Sequence, residues 1–241
     1  MAYNFLGLVN DVNGRLNEVP LTSSNFADAT GFYAQAKESI NSSINDINQQ
    51  QFEWPFNYVE AEETLTAGVT RYGFPTHART VDIDTFRIKA NDTLGTSTEK
   101  LKVLNYEEYL DRYVDQEYNT DTSLRGIPQF VFRSPGLEFG VVPAPDQAYE
   151  IVYEYYRTNA PLINYDDVPA IPEIYRQVII EGAMYHAYMF RSNEQAASIA
   201  KRKFEEGIKA MRTILINRYE YVRSTAINRT SRISYSYRIG Q

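Results

Sequence analysis

The chain has 241 residues, 43% of them hydrophobic and 14% aromatic, and a formal net charge of −7. That is ample for the core of one large domain, or of a core domain with an insertion, and it excludes wholesale disorder. The absence of cysteine excludes a disulfide framework, thiolate metal sites and thiol nucleophiles, and no apolar run approaches the roughly 18 residues of a membrane span. No basic patch followed by an apolar core marks the N-terminus, so the chain is expected to be soluble and intracellular when made. Charge is unevenly placed: residues 201–241 hold ten Lys or Arg against three Glu, a net of +7, and residues 1–200 carry −14. That polarity fits an end that docks on an acidic surface, such as the body of a neighbouring copy. It also fits a solvated basic helix with a frayed tail.

In chain order, Phe5, Leu8, Val9, Val12 and Leu16 share one face of a helix predicted over residues 3–19. Pro20 is its expected stop, because the residue before a proline is pushed out of the α region. A second helix is predicted over residues 31–51, with Tyr33, Ala36, Ile40, Ile44 and Ile47 at spacings of three and four. Trp54, the only tryptophan, is expected to plug the junction with a β region. From residue 57 to residue 157 the pattern is mostly two-fold. Strands are predicted over 58–65 and 70–74 about a Thr66-Ala67-Gly68 turn, then over 81–88 and 100–104, with one short helix over 106–118.

Residues 137–157 read LEFGVVPAPDQAYEIVYEYYR. Leu137, Phe139 and Val141 alternate with Glu138 and Gly140; Tyr149, Ile151, Tyr153 and Tyr155 alternate with Glu150, Val152 and Glu154. On either side of a Pro-Ala-Pro-Asp break this predicts a β-hairpin with one buried face, and residues 127–133 add a third strand to make a meander. Pro172 then opens an apolar helix over 172–191, its Ile174, Val178, Ile179, Ala183, Met184, Ala187 and Phe190 making it the most buried one. Ser192 or Asn193 caps the last helix, 194–222, with a stripe of Ala197, Ala200, Phe204, Ile208, Met211, Leu215 and Tyr219. The expected fold class is α+β. Residues 1–56 and 158–222 form an antiparallel four-helix bundle, interrupted by a β-rich, antiparallel, sandwich-like insertion over 57–157, and residues 223–241 form an extended C-terminal tail.

Chemistry is hard to find in this chain. Of the two histidines, His186 sits in the apolar helix and reads as a hydrogen-bonded core residue, and His77 has no partner at metal-ligand spacing. The carboxylate pairs Asp82/Asp84, Glu150/Glu154, Asp166/Asp167 and Glu107/Glu108 with Asp111 would need to converge at about 5–10 Å for glycosidase or divalent-metal work. Acidic residues alternating with apolar ones are also what the solvent face of a half-buried sheet looks like. No phosphate cradle, nucleophile elbow or EF-hand loop occurs. No catalytic, cofactor-binding or metal-binding residue is therefore assigned. Twenty tyrosines admit a carbohydrate-binding or carbohydrate-active protein as the alternative, and the basic C-terminus admits DNA binding, against which the acidic body argues.

Several motifs resemble a known family. They are FLGLVNDVNGRLNEV at the N-terminus, the W-P-F junction, Y-G-F-P before a strand, G-I-P-Q-F, VVPAPDQAYEIVYEYYR, and V-P-A-I-P-E-I-Y before an apolar helix. In this order they resemble the head-to-tail adaptors of short-tailed phages, the tail tubular protein A type included. The resemblance implies a non-enzymatic virion protein made in the host cytoplasm. It implies a ring, commonly of twelve copies, seated under the portal protein and carrying the tail nozzle and often the tail fibres, with DNA passing through unbound. The tail, 223–241, varies among such proteins and is read from its own residues. In ISYSYRI, residues 233–239, apolar residues alternate as in a strand, and a lone strand must add to a sheet edge or lie in a groove. Arg223, Arg229, Arg232, Ile233, Tyr235, Tyr237, Arg238 and Ile239 are accordingly the candidate partner-binding residues; the competing reading is a disordered end.

Overall fold

A computed structural model describes residues 2–91, 97–119 and 121–216. The chain is a mixed α+β protein that divides into two compact units, one from residues up to Ser43 together with those from Glu173 onward, the other Ile44–Pro172. The limits expected from sequence are 56/57 and 157/158.

In the first unit, α1 (Phe5–Arg15) is capped by Asn4, whose side chain accepts from the Gly7 N–H at 2.9 Å. It ends five residues short of Pro20. Asn17 turns left-handed (φ 57°) and the Glu18 N–H bonds back to the Asn13 carbonyl at 2.9 Å, a C-terminal motif in which asparagine stands where glycine is usual. Helices α2 (Phe32–Gln50), α5 (Arg176–Phe190) and α6 (Glu194–Leu215) follow the expected stripes, and Asn193 caps α6 by accepting from the Ala196 N–H. Extended lateral contact joins α5 to α6; α1 meets α5 over fewer residues. A regular four-helix bundle is therefore not shown.

The crossing point is Gly182. A Cβ there would lie 2.2 Å from Ser43 Oγ and 2.7 Å from the Phe204 ring, so α2 and α6 both reach α5 where it has no side chain. Ser43 then donates to the Ile179 carbonyl at 2.8 Å. In the helix predicted over 172–191, two residues expected inside are outside: Ile174 is 79% exposed and Phe190 56%. Ile174 belongs to a 3-10 turn, Glu173–Tyr175, that precedes α5 and breaks its period, and Pro172 lies before that turn. His186 is half-buried rather than a core residue.

The second unit is a β-sandwich with a helical cover. Its strands are β1 (Tyr58–Thr64), β2 (Arg71–Gly73), β3 (Ala78–Ile88), β4 (Glu99–Lys100), β5 (Lys102–Val103), β6 (Phe130–Ser134), β7 (Glu138–Val142) and β8 (Glu150–Arg157). One sheet has the order β1-β8-β3-β4 and the other β2-β7-β6-β5. Among the described residues all pairings are antiparallel except β5 with β6, which is parallel.

The hairpin expected over 137–157 does not form: β7 and β8 lie in different sheets, so the Pro-Ala-Pro-Asp segment carries the chain from one sheet to the other. The Thr66-Ala67-Gly68 turn does the same between β1 and β2. Pro143 and Pro145 lack the N–H groups that a hairpin ladder would need beside its turn. Alternation looks the same whether two strands lie side by side or face each other across a core.

Between the sheets lies an aromatic core. Phe86 stacks on Tyr153 at 4.5 Å, and Phe139 meets Tyr72, Phe74, Phe86 and Tyr153 at 5.0–5.6 Å. The outer face of the second sheet is covered by α3 (Tyr106–Arg112) and α4 (Val114–Tyr118), where one helix was expected; the chain breaks step at Tyr113. Tyr109 lies flat on Phe132, ring centroids 3.8 Å apart. Phe132 in turn occupies the place of a side chain at Gly140, where a Cβ would fall 2.0 Å from its ring. Trp54 is fully buried, its indole N–H donating to the Ile47 carbonyl at 2.9 Å, so it closes the end of α2.

Candidate interaction surfaces

The outer face of the first sheet carries half-exposed and exposed side chains. Strand β8 alternates strictly between buried Ile151, Tyr153 and Tyr155 and half-exposed Val152, Glu154 and Tyr156. Register sets Glu60 of β1 opposite Glu154, and Glu154 opposite Asp82 of β3. Three carboxylates thus form a row across three strands, an arrangement that repels itself. Of the pairs singled out in the sequence, Asp82 and Glu154 are brought side by side. Asp84 instead pairs with Lys100 at 3.5 Å, and Glu150 shares Lys89 with Glu62 at 3.4 and 3.0 Å. Between β3 and β8 a bulge at residues 82–87 is stitched by Thr85, whose hydroxyl donates to the Asp82 carbonyl and accepts from the Glu154 N–H.

The loop after β8 is a second surface. Asp167 Oδ2 accepts from the N–H groups of Ile163 and Asn164, both at 2.7 Å, and these bonds hold its carboxyl below the usual range. This Asx-type closure fixes a loop that presents Ile163 at 73% exposure and Val168 at 62%. Asp166/Asp167 is therefore a loop-building pair. A third feature is a cleft of about 380 Å³ in the helical unit. There the buried Glu181 accepts from Arg15 at 2.9 Å, and Gln177 joins both. Nearby, Arg176 donates to Asp11 at 2.7 Å. These pairs anchor α1 to α5. Nothing in the sequence marks them, since the partners on α1 and α5 lie more than 160 residues apart.

Several tyrosines are core residues, and others are half-buried or exposed. Tyr109, Tyr149, Tyr153 and Tyr155 are buried, and burial pushes the Tyr153 hydroxyl well above its ordinary pKa. That hydroxyl donates to Glu63 at 3.2 Å, and burial raises the Glu63 carboxyl as well. His77 Nε2 meets the Tyr155 hydroxyl at 2.6 Å. At the helical cover, Glu117 takes Arg71 and the Tyr109 hydroxyl together, at 3.0 and 2.7 Å. Among the described residues, no cluster of three His, Asp or Glu is placed to hold a metal, and no helix is long and apolar enough to cross a membrane. The tail candidates Arg223, Arg229, Arg232, Ile233, Tyr235, Tyr237, Arg238 and Ile239 lie outside the described residues.

The charged sheet face and the loop that exposes Ile163 and Val168 are surface available for contact with other proteins. Residues 3–230 match the family described as SU10 adaptor protein, a family of phage adaptors, and the chain belongs to it. Membership makes it a structural component of a phage particle that contacts other head or tail proteins. No curated protein matches the chain.

Proposed function

We propose that this chain is the ring-forming head-to-tail adaptor of a short-tailed phage, of the tail tubular protein A type. In this reading a ring of commonly twelve copies joins the portal protein to the tail nozzle in the neck of the virion, helps to seat the tail fibres and encloses the DNA channel. It has no enzymatic role. The family match from residue 3 to residue 230 carries the reading. The net −14 of residues 1–200 supports it, because an acidic wall repels phosphate and lets duplex DNA slide. Tail residues 223–241 act as the fastener. Native mass spectrometry of the full chain, alone and mixed with its portal protein, is the test. A portal-bound ring is the expected result, and a chain that stays monomeric in both samples overturns it.

A further inference from the structure

Strand β1 is an edge strand: among the described residues it pairs with β8 and with no other strand. The Leu65 N–H bonds to the Tyr149 carbonyl at 2.7 Å, and the Lys89 N–H bonds to the Glu150 carbonyl at 2.8 Å. In an antiparallel ladder these two bonds fix the phase. The odd-numbered residues of β1 turn their backbone groups to β8. Glu60, Glu62 and Thr64 turn theirs to the open side, where they meet no partner among the described residues. The edge has seven residues, YVEAEET, with no proline, lysine or bulge to blunt it. Its side chains are divided as well. Glu60 and Glu62 stand on the charged outer face, and Val59 and Ala61 lie half-buried at the rim of the aromatic core.

We propose that this edge receives residues 232–239 of a second copy as an added strand. The segment, RISYSYRI, sorts by two-residue period into Ile233, Tyr235, Tyr237 and Ile239 on one face and Arg232, Ser234, Ser236 and Arg238 on the other. Laid along β1, the first set extends the core past Val59 and Ala61. The second set puts an arginine at each end, diagonal to Glu60 and Glu62, with small serines beside the carboxylates themselves. Eight residues match the seven of the edge, and the main-chain bonds satisfy the outward amides. The acidic row Glu60, Glu154 and Asp82 supplies the charge that the arginines offset. The family match ends at residue 230, so the segment lies beyond it. The proposal rests on the ring reading only in needing a second copy; no portal protein is involved.

The chain has no cysteine, which makes a cross-linking test specific. Full-length Thr64→Cys protein is mixed with full-length Ser236→Cys protein and treated with a short bis-maleimide, with Lys201→Cys, on the exposed face of α6, as the control partner. The heterodimer with Ser236→Cys should form roughly ten-fold faster than with Lys201→Cys, because docking raises the local concentration. Adding Glu60→Lys and Glu62→Lys should remove that advantage, with the circular-dichroism melt reporting whether the fold survives. Glu62→Pro deletes an outward N–H while leaving the bonds to β8, and should slow the reaction likewise. Equal rates for the two partners overturn the proposal, as does an unslowed Glu62→Pro protein. A Thr64→Cys/Ser236→Cys double variant that links only within one chain also overturns it. Ring mass measured on the same samples separates the two readings: rings without the cross-link sink the docked strand alone.

Discussion

The two sheets of the β unit are built from similar strands and face different surroundings. The β2-β7-β6-β5 sheet is enclosed, by the opposing sheet on one side and by α3 and α4 on the other. In β7 four consecutive residues, Phe139 to Val142, are buried, as expected of a strand covered on both faces. The β1-β8-β3-β4 sheet is covered on one face, and β8 alternates residue by residue. The open sheet supplies surface, with a row of carboxylates set side by side across three strands.

The largest effect should come from the seam that both sheets share. Phe139→Ala removes the ring around which Tyr72, Phe74, Phe86 and Tyr153 gather and should cost about 4 kcal/mol, read by urea denaturation. A loss near 1 kcal/mol would mean that the sheets are not tightly packed on each other. The cover of the enclosed sheet is tested by Glu117→Gln, which strips the charge that holds Arg71 and the Tyr109 hydroxyl. About 2 kcal/mol should be lost, and amide exchange should rise across residues 106–118 while β8 stays protected. Uniform deprotection would show that cover and sheets unfold as one.

On the open face the sign reverses. Within a single chain Glu60→Gln relieves the repulsion with Glu154, so the melting temperature of the monomer should rise, by no more than about 2 °C. A fall would show that Glu60 has an attractive partner. Glu63, at the core rim, gives the smallest effect and one that depends on pH. Burial raises its folded pKa above the ordinary carboxylate value, so the native state keeps a proton that the unfolded state releases. That contribution is present below the ordinary value and lost as pH rises through the folded one. Glu63→Gln should therefore stabilise by a few tenths of a kcal/mol at neutral pH, discounted for partial exposure, and by nothing at acid pH. Denaturation at both pH values checks it; an equal effect at both would remove Glu63 as the titrating group.

Much of this architecture is legible in residue order. Period-two alternation identified the inward residues of β8, and spacing of three and four identified the buried stripe of α6, because burial of one face is a local property that each residue records for itself. Asn193 as the α6 cap is local in the same way. Pairing is not local. Phe139 and Tyr153 alternate as they would in a hairpin, yet they meet across the core from opposite sheets. The pattern states that a face is buried and is silent about what buries it. The end of α1 turned on one left-handed asparagine rather than on the nearby proline, and the exposure of Ile174 on a 3-10 turn. The row of Glu60, Glu154 and Asp82, and the ion pairs joining α1 to α5, needed the folded chain, since register and long-range contact alone bring such distant charges together.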